Sequence, residues 1–392
     1  MNAEVFLHQS LVSGLVAKKE VERAEAVVVF QIISRDLGGK CIIFLVYNPK
    51  MHEFQIIQSY FTFPTPRADL GVGDDCALFR VAQGHQCAVT SDMLVAGRHF
   101  FWDVDARTLG HKALAVNLSD LAAMGAEPLG FTLSLALPAV SEVWLADFSG
   151  GLLDLARQFN CDLIGGDTTK SMAALEHNGL VINITAFGQV PVGAAIRRDG
   201  ARVGDDVWVS GTLGDAACAL ALLLRERSGD VLSAAEALAL AALRPRLECP
   251  APRVALGVAL RGVASSMLDL SDGLAGDVRH VLRASNVDVE IDCDALPLSS
   301  PLKNLNLEQQ CPAWHAWRDA LTGGDDYELC FTAPMAQRDV LVALSATLGV
   351  PLTRIGRVLE REGDAPKVVW RSEKSPEGLV HMNGWRGYNH FS

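Results

Sequence analysis

Several signatures that would settle a function quickly are missing from this 392-residue chain. No GxxxxGK[ST] string occurs, which excludes a Walker-type phosphate loop. HRD and DFG strings are absent too, so the chain is not a protein-kinase-like catalyst. Gly71-Val72-Gly73 lacks the third glycine and the strand–turn–helix setting of a dinucleotide fingerprint. The nine cysteines form no CxxC pair and no recurrent spacing, which argues against a zinc site or a disulfide framework. Cys76, Cys87, Cys161, Cys218 and Cys330 stand among apolar residues and are expected to pack as small hydrophobes. Long apolar runs are also lacking. Residues 27–47 hold two short ones, but Arg35, Asp36 and Lys40 interrupt them, so no span of about 20 residues can cross a membrane. With no secretory leader, a reducing cytoplasm is the expected compartment.

Positive charge is scarce as well. The net charge of −12 argues against binding a nucleic-acid backbone, which needs a basic surface. A small phosphorylated ligand stays open, because bound cations invert the local field.

What is present is an ordinary soluble composition, 49% hydrophobic and 20% charged, on a chain long enough for two domains. Apolar patterning predicts strands over 86–91, 129–137, 162–164, 180–190, 206–210, 267–271, 327–332 and 352–359. It predicts helices over 108–124, 141–159, 215–226, 234–243, 253–260, 273–284 and 337–348. Strands and helices alternate in both halves, so the fold class is α/β (α+β) in two domains, 51–190 and 191–392, with 191–204 as the link. Residues 1–50 are expected to be an extension of uncertain structure, outside the functional part. A second possible start lies at Met51. No fixed-period repeat is visible.

The aspartates carry the chemical information. Asp74-Asp75 follows Gly71-Val72-Gly73, Asp92 follows Thr90-Ser91, and Asp167 follows two glycines. Asp269 and Asp272 frame Leu270-Ser271, and Asp325-Asp326 follows Gly323-Gly324. Each lies where an apolar run gives way to a turn. Carboxylates there, beside glycines that admit close backbone approach, suit hard cations bridging phosphate oxygens. Taken singly, each is also ordinary turn chemistry. Asp120 differs. It lies inside the apolar helix 108–124, where an unpaired buried carboxylate costs several kcal/mol. Asn117, three residues earlier, shares its helical face. The pair calls for a metal ion, or for a structural ion pair. The expectation is one cation cage built from acidic turns of both halves.

Seven strings then stand in order: GVGDDCAL (71–78), TSDMLVAGRHF (90–100), KALAVNLSDLAAMGAEP (112–128), GGDTT (165–169), LDLSDGL (268–274), GGDDYELCFT (323–332) and GWRGYNHF (384–391). Together they resemble the thiamine-monophosphate kinase family, within the superfamily of aminoimidazole ribonucleotide synthetase and selenophosphate synthetase. The resemblance runs from about Met51 to the C-terminus; the family begins near Met51 and does not cover residues 1–50. It implies an N-terminal metal- and ATP-binding α/β domain whose sheet pairs with a second subunit's in a dimer barrel. It also implies a C-terminal α/β domain with a substrate-contacting tail, and a site in the cleft between domains.

By resemblance, Asp75, Thr90, Ser91, Asp92, Asp120, Asp167, Asp269 and Asp272 hold several Mg²⁺ ions. Gly166, Asp167, Arg198 and Ser271 stand near ATP, and His99, Asp325 and Tyr388 near the thiamine phosphate. Asp325 occupies a position commonly Glu in the family, so its reach is one methylene shorter. Three of these residues have a plain structural reading beside the functional one: His99 as a packed histidine, Arg198 as a solvated charge, Tyr388 as a tail anchor.

The resemblance implies ATP-dependent phosphorylation of thiamine monophosphate to thiamine diphosphate, the last step in making that cofactor, by a homodimer. A phosphate monoester has its second pKa at about 6, so the attacking oxygen is already ionised near neutrality and no covalent catalytic residue is needed. Two alternatives remain: another ATP-dependent synthetase of the superfamily, and a non-catalytic divalent-metal-binding protein.

Overall fold

The computed structural model describes residues 32–37, 40–45, 51–171, 179–309, 313–381, 385, 387 and 388. It divides into two units, Met1–His52 and Glu53–Ser392. In the first unit, strands β1 (Ile32–Leu37) and β2 (Lys40–Leu45) form an antiparallel pair with Leu37 facing Lys40. Of the two apolar runs in 27–47, residues 41–45 of the second lie on β2, and the first, 27–30, lies outside the described residues.

The second unit begins with helix α1 (Glu53–Ile56), which runs into a wider turn over Ile57–Phe61. A short antiparallel pair follows, β3 (Ala68–Leu70) and β4 (Leu78–Phe79). Then come β5 (His85–Val95), α2 (Ala106–Ala123), β6 (Glu127–Leu137), α3 (Glu142–Gln158), β7 (Asp162–Lys170) and β8 (Val181–Pro191). The sheet order is β5-β8-β6-β7, with only β6 and β7 parallel. Helices α2 and α3 cover one face. They approach closely at Gly110, where an added Cβ would lie 2.1 Å from the Phe148 carbonyl. On the opposite face Phe79 packs on Phe187 of β8, while the β5 edge is open, with Val89 and Met93 60% and 56% exposed.

Helix α2 starts where Asp105 accepts a hydrogen bond from the Thr108 N–H at 2.9 Å, two residues ahead of the predicted start. It is buried on almost all sides, as its scarcity of charge requires. Strand β7 does not stop at Ile164 as predicted but continues to Lys170. Its register shifts between Phe131 and Thr132 of β6, and Gly166 then lies opposite Leu133 with φ of 150°. A Cβ there would sit 1.9 Å from the Leu133 carbonyl oxygen. Only glycine fits.

The C-terminal half contains β9 (Asp206–Ser210), α4 (Asp215–Arg227), α5 (Ala234–Glu248), α6 (Val254–Ala259), β10 (Ser266–Asp269), α7 (Leu274–Ser285) and β11 (Asp288–Asp292). It goes on with α8 (Ser300–Glu308), α9 (Ala313–Thr322), β12 (Leu329–Ala333), α10 (Arg338–Leu348), β13 (Leu352–Leu359), β14 (Val368–Arg371) and α11 (Gly378–His381). Its sheet has the order β10-β12-β9-β13-β11-β14, antiparallel except for β11 and β14. Val207, Val209, Leu268 and Ile355 from this sheet pack with Val278, Val281 and Leu282 of α7 in the largest core of this half. Helix α5 runs through Pro245 to Glu248, past its predicted end.

The cysteine reading holds for Cys161, Cys218 and Cys330, which are buried, and fails for Cys76 and Cys87, which are exposed. Cys87 lies on β5, whose alternation carries it to the uncovered side of the sheet. Among the described residues no helix is long and apolar enough to cross a membrane.

Candidate active site

Alternation along β5 sends Thr90 and Asp92 to the helix-covered face, and both reach α2. The Thr90 hydroxyl donates to Asp120 Oδ2, and the Asp92 and Asp120 carboxyls share a hydrogen bond. One residue back on α2, the Ser119 hydroxyl donates to Asp269 Oδ2 at 2.7 Å. Asp269 closes β10, so a carboxyl of the C-terminal half joins the two from the N-terminal half. Burial pushes Asp92 up to about 7, with the charge and hydrogen bond of Asp120 adding to it. Burial, reinforced by Asp120, Asp277 and Asp92, pushes Asp269 up to about 8. Asp120 is raised by burial too, against the opposing Thr90 hydrogen bond and the Arg198 charge. Three like groups are held together against their own repulsion.

Asn117 does not join them. Its amide donates back to the Ala113 carbonyl at 3.2 Å, and its Oδ1 has no partner.

The turn after β10 is fixed from beneath. Asp277 of α7 accepts the Asp272 and Gly273 N–H groups at 3.0 and 3.1 Å, presenting Ser271 and Asp272 outward. Burial raises Asp277 to about 7 despite these bonds. The glycine-rich turn before β12 laces onto the same segment: Asp325 N–H donates to the Ser271 carbonyl at 2.9 Å, and Tyr327 N–H to that of Leu270 at 2.8 Å. Asp325 and Tyr327 have φ of 66° and 48°, a region that costs a tyrosine about 1–2 kcal/mol. Asp325 accepts from Tyr327 Oη at 3.0 Å and pairs with Lys112 Nζ of α2 at 3.1 Å.

The tail arrives here too. Tyr388 N–H donates to the Asp272 carbonyl at 2.9 Å, and the Arg98 guanidinium lies 5.3 Å from the Tyr388 ring centre. Next to Arg98, His99 Nδ1 accepts the Val95 N–H at 3.0 Å. Arg198 opens a short turn, close enough for its charge to act on Asp120 and on His280.

Three predicted site residues lie elsewhere, and Gly166 goes with two of them. Asp75 and Asp167 line a cleft of about 680 Å³ with Asp74, Gly166, Phe54, Phe61, Phe79 and Phe187; Asp92, Asp120 and Asp269 are not among its lining residues. This cleft adjoins β7, and β5 is the other edge of the same sheet, roughly 14 Å away at about 4.8 Å per strand. Ser91 points to the uncovered face, where its Oγ meets Thr185 Oγ1 at 2.9 Å and accepts from Asn183 at 3.2 Å. The acidic turns therefore sort into two groups rather than one cage. Among the described residues, no three His, Cys, Asp or Glu side chains stand in metal-holding geometry. The Asp92–Asp120–Asp269 group still fits a hard divalent cation by chemistry: oxygen donors only, crowded, and raised by burial, with neighbouring carboxylates adding to it at Asp92 and Asp269, where a positive ion would favour the ionised forms.

Sequence reasoning passed over Lys112, Ser119, Asp277, Tyr327 and Arg98. Lys112 carried a signal, since a charge inside so apolar a helix needs a partner as much as Asp120 does.

Similarity to known proteins bears on the fold and the family. Residues 73–190 match the AIR synthase related protein, N-terminal domain, and residues 202–369 the AIR synthase related protein, C-terminal domain. The thiamine-monophosphate kinase of Escherichia coli O157:H7 is 42% identical over 343 residues, covering 87% of this chain and 98% of that protein. The chain belongs to the thiamine-monophosphate kinase family. A crystal structure of thiamine-monophosphate kinase from Stenotrophomonas maltophilia K279a superposes with a TM-score of 0.68 at 46% identity, covering 77% of this chain and 91% of that one. AaThiL complexed with AMPPCP and TMP gives 0.65 at 31% identity, covering 82% and 92%. The two-domain AIR-synthase-type fold is thereby shown, and the chain carries the family's enzyme architecture along almost its full length from Met51.

Proposed function

We propose that this chain transfers the γ-phosphoryl group of ATP to the phosphate of thiamine monophosphate, making thiamine diphosphate, with several Mg²⁺ ions held by its aspartates. The observation that carries the reading is the convergence of Asp92, Asp120 and Asp269 from both halves onto one helix. The relatives named thiamine-monophosphate kinase, and the AaThiL complex with AMPPCP and TMP, supply the substrate pair.

In this reading an ionised oxygen of the acceptor phosphate attacks the γ-phosphorus in line, the bond to the bridging oxygen breaks, and ADP leaves. No side chain forms a covalent intermediate. Bound Mg²⁺ would neutralise phosphate charge that the carboxyls alone would repel. Asp92, Asp120 and Asp269 would be its holders, beside Thr90 and Asp272, and Asp75 and Asp167 would hold further ions in the separate cleft; Ser91, whose hydroxyl faces away, has no place in this set. Arg198, Ser271 and Gly166 would face ATP, and His99, Asp325 and Tyr388 the acceptor. Domains at 51–190 and 191–392 belong to this proposal, as do the cytoplasm as compartment and a homodimer formed through the uncovered face around Val89 and Met93.

The test is product analysis with ATP, Mg²⁺ and thiamine monophosphate. Thiamine diphosphate should form, and Asp120→Ala and Asp269→Ala should each lower turnover by roughly a thousandfold or more with the fold intact. Full activity in both variants would refute the assignment of the site.

A further inference from the structure

We infer that Lys112 is a positioning residue for the acceptor substrate, acting through Asp325 across the junction of the two halves; the inference rests on the reading of Asp325 as an acceptor-facing group. Lys112 lies on α2 in the N-terminal half and is 4% exposed. Its Nζ meets Asp325 Oδ2 at 3.1 Å, while Tyr327 Oη donates to Asp325 Oδ1 at 3.0 Å. Both oxygens of one carboxylate are thus held, one from each half of the unit. The backbone holds it further, with Asp325 N–H on the Ser271 carbonyl and φ of 66°.

The Asp325 side chain is still 28% exposed, so a face of it remains available. A free carboxylate would swing and would repel an incoming phosphate dianion. Clamped and charge-compensated by Lys112, it offers a fixed hydrogen-bond acceptor instead. Asp325 therefore meets an N–H or O–H donor on the organic part of the acceptor rather than its phosphate. Lys112 is buried behind the carboxylate. It sets the orientation of Asp325 and touches no reacting atom.

Steady-state kinetics on the full-length protein test this, with Lys112→Met, Asp325→Asn, Tyr327→Phe and the Lys112→Met/Asp325→Asn double variant, each checked by thermal melting. Lys112→Met should raise KM for thiamine monophosphate about tenfold or more, with KM for ATP changed less than about twofold and a smaller effect on kcat. In the Asp325→Asn background the same change should add less than about twofold, the signature of two residues acting as one unit. Tyr327→Phe, which keeps volume and removes one hold, should raise the same KM by a smaller factor, and it carries the test should Lys112→Met fail to fold. Equal rises in both KM values, additive effects, or unchanged acceptor KM in Lys112→Met and Tyr327→Phe would each overturn the inference. An unchanged acceptor KM in Asp325→Asn sinks the placement of Asp325 instead, and a wild-type protein that makes no thiamine diphosphate sinks the proposed function.

Discussion

The raised carboxyls make the coupling between protons and Mg²⁺ measurable. In the metal-free protein Asp92 and Asp277 are pushed up to about 7 and Asp269 to about 8, against about 3.9 in an unfolded chain. The folded state therefore binds more protons than the unfolded state between about pH 4 and pH 8, so these groups make metal-free stability fall as pH rises through that window. A shift of about three pKa units is on the order of 4 kcal/mol for one isolated group, and less for groups that share their charges. A divalent cation favours the ionised forms and must displace the protons. At about pH 6 the values for Asp92 and Asp269 imply a competition of roughly tenfold and a hundredfold. At about pH 8.5 almost none remains, so apparent Mg²⁺ affinity should rise by roughly two to three powers of ten between them. Thermal melting with EDTA or with about 5 mM Mg²⁺ reads this out. The Mg²⁺-dependent rise in Tm should be at least about 3 °C larger at the higher pH, because a hundredfold change in affinity corresponds to about 2.7 kcal/mol at saturation. Calorimetry in buffers of different ionisation enthalpy should record about one to two protons released per binding event near pH 6.5. A Tm rise that is equal at both pH values, or larger at the acidic one, refutes the assignment of Asp92 and Asp269 as a cation site.

Two further outcomes follow from packing. Gly166→Ala should cost several kcal/mol, because its Cβ would enter the Leu133 carbonyl oxygen at 1.9 Å with φ of 150°, and chemical denaturation will measure the loss. Tyr388→Ala should barely change Tm, because an exposed cation–π contact with Arg98 contributes about 0.5–1 kcal/mol. It should raise KM for thiamine monophosphate severalfold; an unchanged KM would leave Tyr388 as an anchor of the tail.

How much was legible depended on whether a residue's partner lay nearby in the chain. Strands 206–210 and 352–359 fall where alternation and apolar runs place them. Helix α2 starts two residues early because its cap is Asp105, a residue outside the apolar stripe. The predicted end of β7 at Ile164 falls at its glycines, which usually weaken strands; here Gly166 keeps the chain beside β6 and lets pairing resume. Strands β11 and β14 lie outside the predicted strands. They are short, and part of their support is a ladder between distant charges, Glu290 bridging Arg357 at 3.1 Å and Arg371 at 3.0 Å. At the site, Asp120 stands out as a charge in an apolar helix, but its direct hydrogen bonds to Thr90 and Asp92 on β5 can be read only from the fold. The division of the acidic turns into two groups was invisible, because it depends on the strand order β5-β8-β6-β7.

One helix explains why building the site and joining the halves are a single event. Lys112 and Ser119 lie seven residues apart on α2, close to two full turns, and share a face, while Asp120, one residue further, is turned by about 100° toward β5. Each meets a different element there: Asp325 ahead of β12, Asp269 at the end of β10, and Thr90 with Asp92 on β5. From Leu109 onward α2 is mostly apolar and is buried against both sheets, so these polar groups have little water to fall back on if the halves separate only slightly. Loss of one contact therefore leaves a buried donor or carboxylate unpaired, at about 1–3 kcal/mol or more, and presses the halves back together. The same closeness forces Asp92, Asp120 and Asp269 into mutual repulsion. Packing of the apolar length of α2 thus supplies the energy that holds three carboxyls where a cation can use them.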